Sequence, residues 1–345
     1  MYILGIESSC DESAAAVLKA SGQKTEILSN VIASQIDIHA QYGGVIPEIA
    51  AREHVLNILP TIEAALRQAN ITHHDLKAIA VTQGPGLISS LMAGVETAKA
   101  LSLVWKKPII PVHHIIGHIY ANFIQQKLTP QFPLLALVVS GGHSNLIYMS
   151  SHYRFKIIGE TRDDAAGEAY DKAAKMMGLS YPGGPIIAKY AEEYRQSNAK
   201  TKILLPRPML NSPDFDFSFS GLKTALLYQL QKDKNWQKRV PEYCFSFEQA
   251  LVDVLVHKSI KAAKKYKIKS FLLAGGVAAN KHLRQQLQHN ITEILPKIKL
   301  FLPELSYTTD NAAMIASAGY FCYYKKKNKA FIPYDKLRTR CDLNI

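Results

Sequence analysis

A strand–turn–strand pattern that occurs twice constrains the fold of this 345-residue sequence more than any other feature. The first copy runs from Tyr2–Ile6 through the polar turn Glu7–Ser13 into a second apolar segment, Ala14–Leu18. The second copy begins about 130 residues later, with Leu134–Val139 and a return over Asn145–Met149. Each copy predicts a β-hairpin with a polar tip.

Each hairpin is followed by an apolar strand that enters a glycine turn and then a helix. Ala78–Thr82 leads into the turn Gly84–Gly86, and Phe271–Ala274 leads into Gly275 and Gly276. Strands joined by crossover helices form sheets covered by helices, and glycine turns at strand ends mark where ligands bind such sheets. The repeat therefore predicts an α/β fold of two duplicated domains around a central cleft.

Length and composition favour two domains and no membrane span. The chain is longer than a single ordinary core, and its hydrophobic fraction of 48% is typical of globular proteins. Its apolar stretches are shorter than the roughly 20 residues that cross a bilayer. We expect a first domain at 1–130, a second at 131–311 with a helical insertion at about 161–223, a helix at 312–330 that packs back on the first domain, and a tail at 331–345.

The N-terminus and the cysteines indicate a cytoplasmic protein. No basic segment or cleavage site typical of an export signal precedes Glu7. The four cysteines are scattered without the spacing of a metal site or a disulfide framework. This usage suits a reducing compartment.

The positive charge is concentrated near the C-terminus. The formal net charge is +13, and residues 256–340 hold 17 Lys and Arg against 4 Asp and Glu. A surplus on this scale favours a polyanionic partner such as nucleic acid, because phosphate contacts supply most non-specific affinity. The alternative is that the run Lys325–Lys327 is merely solvated.

His114 and His118 are spaced for a divalent metal. If their segment is helical, both imidazoles project from one face. The third ligand that we expect is Asp310, in the polar turn Thr308–Asn311 that opens a helix. The alternative is a pair of surface or hydrogen-bonded core histidines, and neighbouring His113 is expected to be structural. Two imidazoles and one carboxylate suit Fe(II) as well as Zn(II).

The residue after His114 argues against a peptidase. Zinc peptidases of the His-Glu-x-x-His type need a glutamate there as general base, and this chain has Ile115. A Lewis-acid or substrate-orienting role for the metal fits better than water activation.

Two glycine turns are candidates for binding a nucleotide. The turn Ser140–Ser144 offers successive backbone amides of the kind that cradle phosphate oxygens. The turn Gly275–Asn280 lets a flat adenine approach the backbone, and Asn280 can hydrogen-bond a nucleoside.

The acidic segment Asp163–Lys172 is expected to open a helix. Asp163 and Asp164 fit the positive end of that helix's dipole. Asp171 lies a turn or more inside the helix, too far from its start for the dipole to explain it. We expect Asp171 to contact a ribose hydroxyl instead.

Ten segments together resemble the TsaD family, which also carries the older name O-sialoglycoprotein endopeptidase. They occur in one order and extend from residue 5 to residue 311. They are Gly5–Glu12, His39–His54, Gly84–Leu87, Val112–His118, Val139–Ser144, Asp163–Lys172, Tyr181–Pro185, Asp216–Lys223, Ala274–Asn280 and Thr309–Asn311.

The resemblance implies an actin-like fold of the ASKHA type, shared with sugar kinases and ribonuclease H, and an acyltransferase activity. Threonylcarbamoyl-AMP would give its acyl group to the exocyclic amine of adenosine 37 in tRNAs that read codons beginning with A. One divalent metal, with Fe(II) favoured over Zn(II), would be held by His114, His118 and Asp310. The implied substrate-binding residues are Val138, Val139, Ser140, Gly141, Gly142, Asp171, Gly184 and Asn280.

The resemblance also implies partners. Bacterial members work with a TsaB-like paralogue and a TsaE-like ATPase, and we expect the bacterial form here, with tRNA as substrate and no membrane. Asp11 and Glu12, at the first hairpin tip, are candidates for the catalytic base. Two alternatives stay open: a metallopeptidase, and a non-catalytic actin-like scaffold that binds ATP and tRNA.

Overall fold

The computed structural model describes residues 1–345 and divides into two compact units. Unit 1 comprises residues 1–130, 150–155 and 303–345. Unit 2 comprises residues 131–149 and 156–302. Each unit is built on its own sheet.

The ten strands form two sheets of five strands each. The strands are β1 (Tyr2–Glu7), β2 (Glu12–Ser21), β3 (Lys24–Ser34), β4 (Leu76–Gly84), β5 (Ile109–His113), β6 (Leu134–Val139), β7 (Ser144–Ser151), β8 (Arg154–Glu160), β9 (Ser270–Ala274) and β10 (Lys299–Phe301). The first sheet has the order β3-β2-β1-β4-β5, and the second has the order β8-β7-β6-β9-β10. Counted from the first strand of each sheet, the two orders are the same, which confirms the expected duplication.

The pairing directions repeat as well. In unit 1, β1 pairs antiparallel with β2 and parallel with β4. In unit 2, β6 pairs antiparallel with β7 and parallel with β9. All six residues of β6 are buried, which explains why the strand is continuously apolar rather than alternating: both of its faces are covered.

The helices divide evenly between the units. They are α1 (Ile36–Ala40), α2 (Pro47–Gln68), α3 (Ile88–Trp105), α4 (His114–Ala121), α5 (Ala166–Met176), α6 (Gly183–Gln196), α7 (Ser220–Lys232), α8 (Val240–Tyr266), α9 (Lys281–Ile294) and α10 (Ala312–Lys326). Helices α1 to α4 and α10 belong to unit 1, and α5 to α9 belong to unit 2. No helix has the length and apolar character that crossing a membrane requires.

The two faces of β1 meet different helices. Leu4 and Ile6 lie in one core with Ile58 and Ile62 of α2. On the other face, α10 approaches so closely that a Cβ on Gly5 would lie 2.3 Å from the carbonyl oxygen of Ala312. Only a glycine permits this approach, and it places the start of α10 beside β1.

The domain boundaries differ from those expected from the sequence. Residues 303–311, expected in the second domain, lie in unit 1 because α10, which follows them, packs on β1. Residues 331–345 are part of unit 1 rather than a separate tail: Ile332 pairs with Ile109, and the Arg340 amide donates to the Gln83 carbonyl.

The expected insertion is helical only in part. Between residues 161 and 223 the chain forms α5, α6 and the first turn of α7, but residues 199–219 contain no helix. This segment is held instead by side-chain contacts, such as the ion pair of Arg207 with Asp253, 2.8 Å apart.

Candidate metal centre and substrate-binding turns

His114, His118 and Asp310 come together in unit 1. Helix α4 begins at His114, so the spacing of four residues places both imidazoles on one face, with ring centroids 4.7 Å apart. Asp310 directly precedes Asn311, whose side chain caps α10. Its Oδ1 lies 3.4 Å from His114 Nε2 and 3.1 Å from His118 Nε2. One ligand atom from each residue lies within 4.8 Å of the others, so the group could hold a metal ion.

The surroundings of the His118 side chain indicate a metal site rather than a purely structural pair of histidines. The side chain is buried, and neither ring nitrogen has a hydrogen-bond partner. Nε2 lies 3.1 Å from Asp310 Oδ1, but the two groups are not aligned as a hydrogen bond. A buried polar atom without a partner costs about 1–3 kcal/mol, and coordination would satisfy one of these nitrogens. The residues fit a divalent ion such as Fe(II) or Zn(II).

Glu7 is a site residue that the sequence reasoning missed. Its fully buried carboxylate accepts hydrogen bonds from Thr82 Oγ1 at 2.7 Å and from the Ser9 amide at 2.6 Å. Its Oε2 lies 3.1 Å from His114 Nδ1. Burial raises the pKa of Glu7, but the adjacent His114 outweighs this and leaves the pKa below its ordinary value. The contact directs the other ring nitrogen of His114 towards Asp310. The available signal was a carboxylate at the end of an apolar strand.

We expect Glu7→Gln to weaken metal binding by about ten- to a hundredfold, because a carboxylate that orients a ligating imidazole also raises its basicity. Titration of the metal-free protein with Fe(II) or Zn(II) measures the effect. Thr82→Val is the matched control, since it removes one hydrogen bond to Glu7 but keeps the contact with His114. Equal affinities of Glu7→Gln and wild type would show that Glu7 does not support the site.

Neighbouring histidines have ordinary structural roles. The Nε2 of His113 lies 3.0 Å from the Leu343 carbonyl, and its Nδ1 accepts from the Ile115 amide at 3.2 Å. His54 lies 2.7 Å from Ser13 Oγ and 2.9 Å from the Cys10 carbonyl. These contacts agree with the structural role expected for His113 and contrast with the ring nitrogens of His118, which have no hydrogen-bond partner.

Asp11 and Glu12 are buried at the tip of the first hairpin. Burial, followed by the charges of Asp310 and Asp11, raises the pKa of Glu12 well above its ordinary value. A raised pKa favours the protonated form of this carboxyl and makes its carboxylate a stronger base. A catalytic role for either residue stays a prediction.

In unit 2, the turn after β6 presents two unused backbone amides. The Ser140 amide donates to the His143 carbonyl at 2.8 Å, and Ser140 Oγ accepts from the His143 amide at 3.2 Å, so Ser140 is held by the turn itself. The amides of Gly141 and Gly142 donate to no group of the chain, and a Cβ on either would meet nothing within 4 Å. Chain packing therefore does not require these glycines, whereas the approach of a ligand would.

Val138 and Val139 lie directly before this turn. Both are fully buried in β6. Their place in the structure is to support the turn from within the sheet, and direct contact with a substrate stays a prediction.

Asp171 and the segment of Gly184 are brought together. Asp171 Oδ1 accepts from the Gly183 amide at 2.8 Å, at the start of α6. Burial raises the pKa of Asp171, and hydrogen bonds from Gly183 and Gly184 partly oppose that rise. A Cβ on Gly184 would have only Tyr170 near it, at 4.0 Å. The pair thus lies at one helix N-terminus with open space beside it.

Both polar atoms of the Asn280 side-chain amide form hydrogen bonds within the chain. Oδ1 accepts from the Leu283 amide at 2.8 Å and caps α9, while Nδ2 donates to Glu248 at 2.7 Å. Glu248 is buried and also binds Arg195 at 2.8 Å. The orientation of Asn280 is therefore fixed by the fold, and its contact with a nucleoside stays a prediction.

The acidic segment before α5 has partners that the sequence did not indicate. Helix α5 begins at Ala166, and Asp163 instead accepts from the amides of Phe219 and Ser220 at 2.7 and 3.2 Å. Asp164 forms an ion pair with Lys172 at 2.7 Å. The dipole interpretation was wrong for Asp163, which binds the N-terminus of α7 rather than that of α5.

Comparisons with known proteins agree on family and fold. A family model described as "TsaD: tRNA N6-adenosine threonylcarbamoyltransferase" matches residues 26–317. A Geobacillus thermodenitrificans protein named tRNA N6-adenosine threonylcarbamoyltransferase is 52% identical over 95% of this chain and 93% of its own length. A Bacillus subtilis protein of the same name is 52% identical over 94% of this chain and 91% of its own length.

Solved structures support the fold. Component A of (R)-2-hydroxyglutaryl-CoA dehydratase from Acidaminococcus fermentans has a TM-score of 0.52 at 16% identity, covering 94% of this chain and 98% of its own. HypF from T. kodakarensis has a TM-score of 0.60 at 12% identity, covering 93% of this chain and 47% of its own. These likenesses concern the fold alone, and the two-domain actin-like α/β architecture is confirmed.

Proposed function

The chain belongs to the TsaD family of tRNA N6-adenosine threonylcarbamoyltransferases, and from this premise we propose its reaction in detail. The enzyme is a transferase that modifies tRNA. We propose that threonylcarbamoyl-AMP is the donor and that the exocyclic amine of adenosine 37, in tRNAs reading codons that begin with A, is the acceptor. The observation that carries the proposal is the assembled group of His114, His118 and Asp310, in which the buried imidazole of His118 has no hydrogen-bond partner.

The donor is a mixed anhydride and is already activated, so the protein has to orient it, stabilise charge and let AMP leave. The amides of Gly141 and Gly142 are suited to the phosphate. Asp171 and Asn280 are suited to the nucleoside, since both are oriented by hydrogen bonds to helix N-termini.

His114, His118 and Asp310 would hold one divalent ion, for which we favour Fe(II) over Zn(II). When bound, the ion supplies a Lewis acid that can orient the donor. For the base, we propose Glu12 or its neighbour Asp11 as the group that accepts the proton of the amine. The burial of Glu12 supports this assignment.

We further propose a TsaB-like paralogue and a TsaE-like ATPase as partners, and the cytoplasm as the location. Exposed apolar side chains on one helix support a protein partner: Val55, Leu56 and Leu59 of α2 are 68%, 67% and 55% exposed. Grouped apolar side chains of this kind mark interaction surfaces more often than isolated ones do.

Transfer of a labelled threonylcarbamoyl group to tRNA tests the proposed function. The purified chain, the two partners, threonylcarbamoyl-AMP and tRNA are combined, and the modified nucleoside is identified after digestion. We expect label at adenosine 37 and none in a matched tRNA that carries guanosine there. Nucleotide and tRNA binding without transfer would favour the scaffold, and metal-dependent cleavage of a glycoprotein would favour the metallopeptidase.

The glycine turn gives a separate prediction. Gly141→Ala with Gly142→Ala is expected to weaken binding of the adenylate by about tenfold or more, because methyl groups would cover two of the phosphate donors. Stability should change by less than about 1 kcal/mol, since neither Cβ meets an atom of the chain. Isothermal titration with AMP measures the first effect and urea unfolding the second.

Gly221→Ala is the control for this pair, because its Cβ would make only ordinary contact, 3.5 Å from Pro208. An adenylate affinity equal to that of wild type in the double variant would remove the turn from the substrate site.

A further inference from the structure

Four exposed lysines lie at the C-terminal end of α10 and in the turn after it. They are Lys325, Lys326, Lys327 and Lys329, and together with Tyr323 we call them the lysine surface. None of the four forms a salt bridge with a carboxylate of the chain. They line an open depression of ≈ 750 Å³. Four unneutralised ammonium groups within five residues form a site for a polyanion.

Aromatic rings restrain two of these ammonium groups. Lys326 Nζ lies 5.3 Å from the ring centre of Tyr153. Lys327 Nζ lies 5.2 Å from the ring of Tyr324 and 6.0 Å from that of Tyr323. Cation–π contacts of this length are attractive. Because these lysine side chains are already ordered, binding a partner costs less side-chain conformational entropy. This property distinguishes the surface from a freely solvated run of lysines.

Helix stability explains only part of the arrangement. Lys325 and Lys326 occupy the last turn of α10, where cations meet the negative end of the helix dipole. Lys327 and Lys329 lie beyond the helix, in the short turn 327–330. Lys327 is the C-cap residue of α10, so the dipole of α10 leaves Lys329 unexplained.

Helix α10 also sets the distance between the lysine surface and the metal centre. Asp310 lies just before the first residue of α10, and the surface lies at its last residues. At 1.5 Å per residue, this helix is about 22 Å long. Along one nucleic-acid strand, at about 3.4 Å per nucleotide, that length corresponds to about six nucleotides.

We propose that the lysine surface binds the phosphodiester backbone of the tRNA about six nucleotides from the modified adenosine. The identity of the RNA rests on the proposed function. An anionic membrane fits less well, because interfacial binding requires apolar side chains beside the cations. No large exposed apolar side chain lies between residues 320 and 333.

The test is direct tRNA binding by the full chain in the absence of donor. In the variant Lys325→Gln, Lys326→Gln, Lys327→Gln, Lys329→Gln, we expect the dissociation constant for tRNA to rise by about tenfold or more. The slope of log affinity against log salt should fall by about 3, close to one unit for each lost phosphate contact. Affinity for AMP and metal content should stay unchanged.

A matched variant removes the same charge elsewhere: Lys200→Gln, Lys202→Gln, Lys232→Gln, Lys234→Gln, all exposed residues of unit 2. It should bind tRNA within about threefold of wild type. An equal loss in both variants, or no loss in the first, would overturn the proposal. The proposal would also be overturned if the variant of Lys325, Lys326, Lys327 and Lys329 lost binding to phosphatidylserine vesicles but kept its affinity for tRNA.

Amine-acylation mapping of the wild-type protein provides a measurement that needs no variant. Bound tRNA should protect Lys325–Lys329 from acylation at least about threefold more than Lys232 and Lys234, and the absence of protection would overturn the proposal. A chain that binds tRNA through the lysine surface but transfers nothing would refute the proposed function and leave this inference intact.

Discussion

Replacing His118 with alanine is expected to remove the bound metal and to lower the transfer rate by at least about a hundredfold, more than the loss of an outer-shell partner costs. The metal-free protein should lose less than about 1.5 kcal/mol of stability. The cavity left by the ring is destabilising, but the substitution also removes two buried nitrogens that have no hydrogen-bond partner. Metal analysis, transfer assays and urea unfolding of the metal-free proteins measure the three quantities.

His54→Ala is the matched control, because His54 is also completely buried but has partners at both ring nitrogens. Its loss leaves the Ser13 hydroxyl and the Cys10 carbonyl unpaired, so stability should fall by about 2–3 kcal/mol or more. If the metal-free His118→Ala protein is as unstable as His54→Ala, or if His118→Ala retains its metal, the metal centre is wrongly assigned.

Gly5→Ala is expected to lower the free energy of unfolding by about 3 kcal/mol, the upper part of the range for overpacking a core. The added Cβ would lie 2.3 Å from the Ala312 carbonyl oxygen and 2.8 Å from the Ala316 amide nitrogen. Both are backbone atoms, so α10 itself has to move away from β1. Because Asp310 lies just before α10, the metal affinity should fall together with the stability.

Gly221→Ala again supplies the comparison. It adds the same methyl group in the first turn of α7, and its nearest neighbour is a side-chain carbon at 3.5 Å. We expect this variant to be at least as stable as wild type by urea unfolding. Equal stability of Gly5→Ala and Gly221→Ala would mean that α10 does not pack on β1 at the observed distance.

Local patterns made much of the fold predictable. The two hairpins and the strands before the glycine turns follow from short apolar segments and turn residues, and the structure contains all of them. The helical spacing of His114 and His118 is equally local, so it predicts that both side chains share one face of α4. Asp310 was a candidate because a polar residue at a helix start is recognisable, and the family resemblance then named it.

Contacts between distant segments were not predictable from such patterns. The sequence pattern placed Glu7 only at the end of a strand. Its contact with His114 depends on the pairing of β1 with β4 and of β4 with β5. Asp163 was assigned to the helix that follows it in sequence, although its carboxylate binds the start of α7. In both cases the contact joins residues that lie far apart along the chain.

The sequence by itself determined the duplicated hairpins, the family and the residues of the candidate metal centre, because these depend on neighbouring residues and on recognisable segments. Only the tertiary structure decided that residues 303–345 complete unit 1, that His118 lacks hydrogen-bond partners, and that Gly141 and Gly142 have unused amides. The physical reason is that long-range packing, such as that of α10 on Gly5, selects the partners of each polar atom, whereas local sequence selects only the element in which that atom lies.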